Sequence, residues 1–436
     1  MRNSTARSRR LFDGKECLSL SPVRRYITLL IPALGLMLGS SSIDAGQPAI
    51  QPYLKIYPEW KIERPRSPSQ AGQKVGTMGS LRNDRTVLVT SISPREDTSE
   101  PAWSNSYVGI RGGHTISGTR IGFDLQYEID AQGDQGWEKD LADNFRSRDA
   151  YLYAESNTLG RIQVGKFDSI YKDWGDRYSM LGVSSGNFVS SSRLLSRAGW
   201  RGSGNTSFHI RRNYSLQYTS PRAYGVDAGI FHSFNESERG PGGEDTKVSA
   251  LGIRWQDDRW YVALLTERHI DWLPMSRDAS PIAESIRNPH DSSSSRDQAY
   301  RLAIGWSKSP IRIGLDIAQL RYSERSSIDL PGKFREYQNE TAQITVEYRG
   351  HPSLRLSANH TVANAGRCRL SQAVPCSTHN LGGYQTSVGA AYAVNSFLSF
   401  FALASRVANQ PAASYGSLPQ GASASIFALG IKVEMR

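Results

Sequence analysis

Arg120-Ile-Gly-Phe-Asp-Leu-Gln-Tyr-Glu-Ile-Asp130 decides the fold class. Ile121, Phe123, Leu125, Tyr127 and Ile129 share one face of it, and Arg120, Asp124, Gln126, Glu128 and Asp130 share the other. An extended chain turns successive side chains to opposite faces, so this segment has one greasy side and one wet side. The pattern recurs over 53–63, where Leu54, Ile56, Trp60 and Ile62 alternate with Lys55, Tyr57, Glu59, Lys61 and Glu63. It returns over 311–318 (Ile311, Ile313, Leu315 and Ile317 against Arg312 and Asp316), over 342–349 and over 424–435. Each segment runs for about ten residues and stops at turn residues, and Trp and Tyr are scattered among the apolar positions. The reading is an all-β chain, a transmembrane antiparallel β-barrel with a polar interior.

Composition agrees with one large barrel. The 436 residues show no linker and no change of composition from residue 50 onward. A mean hydropathy of -0.47 with 21% charged residues looks water-soluble. Alternation hides the lipid-facing half of each strand from such an average, whereas a helical span needs about 20 consecutive apolar residues, which no segment after the first fifty supplies. Residues 1–45 read as a secretory signal: basic residues as far as Arg24 and Arg25, an apolar run from 27 to 38, then small residues up to Ala45. The rival reading is a helical anchor, but the apolar run is too short to span a bilayer comfortably. Removal of this segment takes away seven basic and three acidic residues and lowers the net charge from +11 to +7. The remaining bases alternate with acids and form no patch interleaved with aromatics, so no nucleic-acid partner is expected. Cys17 leaves with the signal, and Cys368 and Cys376 bracket a short polar segment, which in an oxidising compartment reads as a disulfide clipping one loop.

Strands are expected near 50–64, 105–113, 118–130, 147–156, 159–166, 206–219, 224–234, 247–256, 259–268, 298–307, 310–324, 336–349, 353–364, 382–393, 396–407 and 422–435, sixteen in all. Tight turns such as Asn157-Thr158, Pro221-Arg222-Ala223, Asp257-Asp258, Lys308-Ser309 and Val394-Asn395 fall between longer loops at 65–104, 131–146, 167–205, 269–297, 365–381 and 408–421. An even strand number, with short turns at one rim and long loops at the other, marks an outer-membrane barrel of a Gram-negative cell.

A set of short motifs in this order resembles the general porins of Gram-negative bacteria, above all the beta-proteobacterial and neisserial type. They are Tyr107-Val-Gly-Ile-Arg-Gly112, Arg120-Ile-Gly-Phe-Asp-Leu-Gln-Tyr-Glu128, Arg148-Asp-Ala-Tyr-Leu-Tyr153, Leu159-Gly-Arg-Ile-Gln-Val-Gly-Lys166 and Arg211-Arg-Asn-Tyr-Ser-Leu-Gln-Tyr-Thr-Ser-Pro221. The resemblance implies a homotrimer of sixteen-stranded barrels embedded in lipid and lipopolysaccharide and passing small hydrophilic solutes and ions. It also implies a third long loop folded into the lumen. Carried over, Arg111, Arg148 and Arg211 are the wall arginines, with Lys55 on the same side, and loop 167–205 supplies Asp168, Asp173 and Asp176. Alternation independently turns Arg211 inward together with Asn213, Ser215, Gln217 and Thr219. The chain departs from the family pattern at Tyr107, where a wall base is usual, and at Met435, where the terminal strand usually ends on an aromatic residue.

Other chemistries fare worse. The eight histidines are scattered, with no His-Glu-x-x-His pair and no Gly-x-Ser-x-Gly elbow, so no catalytic residue, metal or cofactor is expected; His209 is the one histidine at a lumen-facing position worth watching. A substrate-specific sugar or anion channel is the alternative, with Tyr57, Tyr107, Tyr171 and Trp174 as an aromatic track. By count, Lys55, Arg111, Arg148, Arg211, Arg312, Arg355 and Lys432 outnumber Glu59, Asp124, Glu128, Asp316 and Glu347 on the wet face, which predicts a weak anion preference.

Overall fold

The computed structural model describes residues 49–66, 74–75, 87–88, 98–102, 106–129, 145–183, 187–199, 207–234, 246–272, 294–325, 334–373, 376–418 and 421–435. The expected signal, 1–45, lies outside them. The described strands form sixteen staves: β1 (Ala49–Ile56 with Glu59–Arg66), β2 (Thr98–Ala102 with Tyr107–Ile116), β3 (Thr119–Ile129), β4 (Phe145–Ser156), β5 (Gly160–Asp168), β6 (Arg211–Thr219), β7 (Val226–Phe234) and β8 (Lys247–Gln256). The others are β9 (Trp260–Ile270), β10 (Ser294–Lys308), β11 (Ile311–Arg325), β12 (Phe334–Tyr348), β13 (Leu354–Ala363 with Arg367–Leu370), β14 (Gly383–Ala393), β15 (Leu398–Asn409) and β16 (Ser423–Met435). Each stave is antiparallel to its neighbours, and β16 returns to β1 through pairs such as Glu59 with Gly430 and Leu54 with Met435. The sheet is therefore a closed barrel, which leaves no strand edge unpaired in lipid.

Three staves run in two pieces. In β1 the break falls at Tyr57 and Pro58, where Tyr57 N–H donates to Ser106 Oγ at 2.9 Å and the Pro58 carbonyl accepts Ile431 N–H at 3.0 Å. The short rim is built from tight turns. Ser117-Gly118 and Tyr224-Gly225 each put two successive residues at positive φ, 48° and 79° and then 52° and 81°. That is the mirror-image turn whose twist matches an antiparallel pair. The second of these corrects the sequence reading: the reversal sits at Tyr224-Gly225, not at Pro221-Arg222-Ala223, and β7 starts at Val226.

Outward positions are apolar, among them Ile162 (48% exposed), Leu251 (53%), Leu264 (56%) and Leu429 (53%). These rings and branches face the bilayer. Inward positions over β7 to β12 are instead buried, because the segment between β5 and β6 folds into the lumen and covers them. This loop carries a helix, Ile170–Gly175, whose Ile170, Tyr171 and Trp174 pack with Phe231, Ala250, Tyr261, Ala263, Ala299, Ala303 and Ala318 of the wall. Farther on, Met180, Val183, Phe188, Val189 and Leu194 pack against Phe401, Leu403, Val407, Ile426 and Ala428 of β15 and β16. The loop thus begins later and ends later than expected from the sequence: Phe167 and Asp168 complete β5, and 207–210 precede β6.

Candidate functional site

The lumen loop is seated on glycines. Gly229 of β7 and Gly252 of β8 are directly opposite in the ladder, and Trp174 lies across them, so close that a Cβ would fall 2.9 Å and 3.1 Å from its ring. Gly305 of β10 and Gly314 of β11 are likewise opposite, and Tyr178 fills the space above both. Side chains there would occupy the volume of the loop's aromatic rings. These four residues escaped the sequence reading, although the signal was available: each is a glycine at an inward position within a long alternating strand, where backbone approach by another element is a recurrent reason.

Polar groups on the wall then hold the loop's backbone. Thr341 Oγ1 donates to the Leu195 carbonyl at 2.6 Å, Asn359 Nδ2 to the Val189 carbonyl at 3.2 Å, and Gln385 Nε2 to the Phe188 carbonyl at 2.7 Å. Tyr261 OH donates to the Trp174 carbonyl at 2.6 Å. Asn187 Nδ2 reaches Glu59 at 2.9 Å.

Arg301 and Arg212, beneath the loop, are paired with acids. Arg301 of β10 is 1% exposed and reaches Asp176 at 3.1 Å, Asp316 at 2.8 Å and the Gly175 carbonyl at 2.8 Å. Burial raises the Asp176 carboxyl, but His209 and Arg301 more than offset this and hold it below the ordinary carboxylate range. His209 is bonded to Asp176 and buried under the loop, ahead of β6 and not on a lumen-facing strand. Arg212 is fully buried; it meets Glu267 at 3.2 Å and His269 at 2.8 Å, with the Trp272 ring centroid 4.6 Å away, while Ser169 hydroxyl also donates to Glu267.

Six of the eight residues named from the sequence fall into two groups, and Asp173 and Asp176 stand apart from both. Lys55, Tyr107, Arg111 and Arg148 come together on β1 to β4. Lys55 Nζ is 5.3 Å from the Tyr57 ring centroid and 5.9 Å from that of Tyr107; Arg148 is 4.8 Å from Tyr107, and Arg111 is 5.2 Å from Tyr53. Arg111 also donates to Gln51 Oε1 at 2.9 Å. Tyrosine faces back Arg111 and Arg148, an arrangement that fixes a charge without neutralising it. A bulge opposite Gln126 lets the adjacent residues Arg148 and Asp149 both serve the lumen side. Among the described residues, neither Arg111 nor Arg148 forms an ion pair.

Asp168 and Arg211 form the second group, 3.6 Å apart, with Lys172 at 2.9 Å from Asp168 and Asp149 bonded to Arg211. Asp149 is a partner that strict alternation hides. A bulge at Asn213 and Tyr214, where Tyr214 takes φ 45°, shifts the register of β6. Arg212 therefore lies inward under the loop, and Arg211 does not share a plain alternation with Ser215, Gln217 and Thr219. Asp176 is apart from both groups, locked to Arg301. Asp173 is the exposed acid of the helix and forms no ion pair among the described residues. Its carboxyl is pushed up to about 6 by enclosure within the barrel and by the charge of Asp168, against the pull of Arg254.

Counting inward charges is thus too coarse. Arg355 and Arg349 both reach Glu347, Arg312 lies 3.5 Å from it, and Lys432 meets Glu434 at 2.8 Å. The aromatic track also changes: Tyr57 stacks on Phe401 at 4.1 Å, and Tyr57, Tyr171 and Trp174 are no more than 4% exposed, so these rings are packing residues. Next to the loop, on the short-turn side, a recess of about 690 Å³ opens among Arg161, Asp168, Asp173, Trp174, Asp227 and Arg254.

The comparisons agree with this geometry. The chain is similar to an anion-selective porin from Comamonas acidovorans, with a TM-score of 0.61 at 12% identity over 89% of this chain and 100% of that one. It is similar to OmpT of Vibrio cholerae, TM-score 0.55, 11% identity, 91% of this chain and 99% of that one. It is also similar to OmpF of Salmonella typhi, TM-score 0.55, 11% identity, 88% and 97%. At such identities the likeness speaks for the fold. No curated protein sequence matches the chain. The family model for Gram-negative porins matches residues 89–432, most of the chain, and the protein belongs to that family as a β-barrel diffusion channel of the outer membrane.

Proposed function

We propose that this channel passes small hydrophilic solutes and ions through a narrow zone between Lys55, Arg111 and Arg148 on the wall and Asp173 on the lumen loop, with a weak preference for anions. The observation that carries the reading is the unequal pairing of charge. Asp168 and Asp176 are tied to Lys172, Arg211 and Arg301, while Arg111 and Arg148 rest on tyrosine rings. A paired acid contributes little field to the water nearby, whereas a fixed cation in a low-dielectric wall acts strongly on a permeating ion. The signal at 1–45, removed on export, and assembly as a homotrimer belong to the same reading.

The test is the reversal potential of single channels in a salt gradient. The wild type gives a small potential of the anion-selective sign, and Arg111→Glu with Arg148→Glu moves it to the cation side. A wild type that strongly favours cations sinks the assignment of these residues. A sugar-selective channel, the second reading, would show conductance blocked by a candidate sugar, for which Tyr107, the half-buried member of the expected aromatic track, is the available platform.

A further inference from the structure

The recess of about 690 Å³ under the lumen loop holds its charges unevenly. Toward the short-turn rim, two arginines share one acid. Arg254 donates to Asp227 through Nε at 2.7 Å and Nη2 at 2.9 Å, and Arg222 Nη2 reaches the same carboxylate at 3.0 Å. Toward the loop, one acid lacks a base. Asp168 is answered by Lys172 at 2.9 Å and Asp149 by Arg211, whereas Asp173 forms no ion pair among the described residues. Enclosure and the charge of Asp168 push its carboxyl up to about 6, and Asp176 and Asp149 add to the rise against the pull of Arg254. A cation placed there would relieve that repulsion. Gln217 of β6 also lines the recess; it is 7% exposed, and its Oε1 has no donor among the described residues. A buried acceptor without a donor is uncommon in folded proteins, and an N–H brought by a ligand supplies what it lacks.

From this arrangement we infer that the recess binds a short peptide with free ends, its ammonium on Asp173 and Gln217 and its carboxylate on Arg222 and Arg254. The spacing of the two ends selects the occupant. Trp174, next to Asp173 in the helix, lies over Gly229 of β7, and Asp227 is two residues nearer the rim, about 7 Å along the strand. Two extended residues span about 7 Å, so a dipeptide carries its two charges that far apart, and a single amino acid about half as far. Asp227 occupies only Nε and Nη2 of Arg254 and Nη2 of Arg222, which leaves N–H groups of both forks for a second carboxylate. A purely anionic solute meets Asp173, and a purely cationic one leaves the paired arginines unanswered; the zwitterion matches both ends. The inference rests on the reading of the pore as a solute channel narrowed at Asp173 and names a solute class for it.

The test is isothermal titration of the detergent-folded full chain with alanyl-alanine. N-acetyl-alanyl-alanine and alanyl-alanine amide, each lacking one of the two charges, are titrated into the same protein. The expected result is saturable binding of the free dipeptide and roughly tenfold weaker binding of either blocked form, the size of one lost charge-assisted hydrogen bond. Asp173→Asn weakens the free dipeptide roughly tenfold and leaves the N-acetylated form unaffected. Arg222→Gln weakens the free dipeptide and leaves the amide unaffected, while Asp227 keeps Arg254. Heat-modified gel mobility verifies that each variant is folded, and the two blocked dipeptides on the wild type decide the matter if a variant is not. Absence of saturable binding, a blocked form bound within about twofold of the free dipeptide, or an Asp173→Asn affinity within about twofold of wild type overturns the proposal. The reversal potential of Arg111→Glu with Arg148→Glu is measured without peptide, so a failure of the recess and a failure of the narrow zone are seen separately.

Discussion

The lumen faces of β7 to β12 and of β1 to β5 obey the same alternation, yet their polar residues end in different states. Over β7 to β12 the inward face is dry: Glu267, Arg301 and Asp316 are each no more than 4% exposed and hold one another, Arg212 of β6 or the lumen loop. Over β1 to β5 the inward face is wet around four cations, although Glu59 of β1 is buried against Asn187 of the loop. Lys55, Arg111, Arg148 and Arg161 lean on tyrosines, and Arg161 lies 4.2 Å from the Tyr153 ring centroid. Alternation specifies only that a side chain points inward. Whether it meets water or protein depends on where the loop lies, and the loop lies where glycines and alanines leave room. One arc therefore anchors the constriction, and the other gives it its field.

The largest effect is expected from breaking the dry arc at its centre. Arg301→Ala leaves Asp176 and Asp316 buried without their cation, and loss of one partner from such a group costs about 3–5 kcal/mol. Loop cleavage by protease between 177 and 199 should rise sharply and the channel should become noisy, while the barrel still resists detergent because its ladder is closed. An unchanged cleavage pattern would show that the apolar seat alone holds the loop.

Next comes the seat itself. Gly252→Leu pushes against Trp174 and Leu265, and overpacking of this kind costs about 1–3 kcal/mol. Tryptophan emission should shift to the red as Trp174 lifts into water. The same change at Gly122, whose neighbours are the Tyr153 side chain and the Gly112 carbonyl on the wet arc, should strain that part of the wall and leave the loop in place. Equal loss of loop order from both variants would erase the distinction between the two arcs.

Much of this was legible beforehand, for physical reasons that also mark where it stopped. Period-two alternation located sixteen strands because each buries one face in lipid, whereas the inward fold of the long loop after β5 came only as an implication of the resemblance to porins. Nothing local in the sequence says that Arg212 and Ser169 meet Glu267, since those residues are 55 and 98 positions away from it along the chain. Bulges at Arg148–Asp149 and Asn213–Tyr214 break the rule that places side chains, and they do so beside the very residues of interest. Asp176 looked equivalent to Asp173 in sequence; one is locked to Arg301 and the other faces the lumen.

That last difference sets a third, smaller effect. An unperturbed aspartate loses its charge near pH 4, whereas Asp173 is pushed up to about 6. Because the raised value means protonation at higher pH, lowering pH from about 7.5 to about 5 removes one negative charge from the lumen while Asp176 stays ionised. Anion preference in reversal-potential measurements should increase across that window, and Asp173→Asn should show the increased preference at both ends with no step. A step that persists in Asp173→Asn assigns the titration to another group.

The smallest effect is expected at Cys368 and Cys376, which are bonded to each other with Cα atoms 5.8 Å apart. Only seven residues lie between them, so the loop-closure gain is about 2 to 3 kcal/mol at most and is confined to that loop. Its neighbours are held independently: Cys368 is opposite Tyr337 in the ladder, Tyr337 OH donates to the Ala365 carbonyl at 3.1 Å, and Thr378 Oγ1 donates to the Gly366 carbonyl at 2.6 Å. Neither arc of the lumen depends on the bond. Replacing both cysteines with serine should leave heat resistance and conductance nearly unchanged and raise protease sensitivity between Gly366 and Gly382. Free thiols in protein isolated from the outer membrane would refute the bond in the exported chain. Failure of barrel assembly in the double variant would show that this loop supports the closed ladder, and not the reverse.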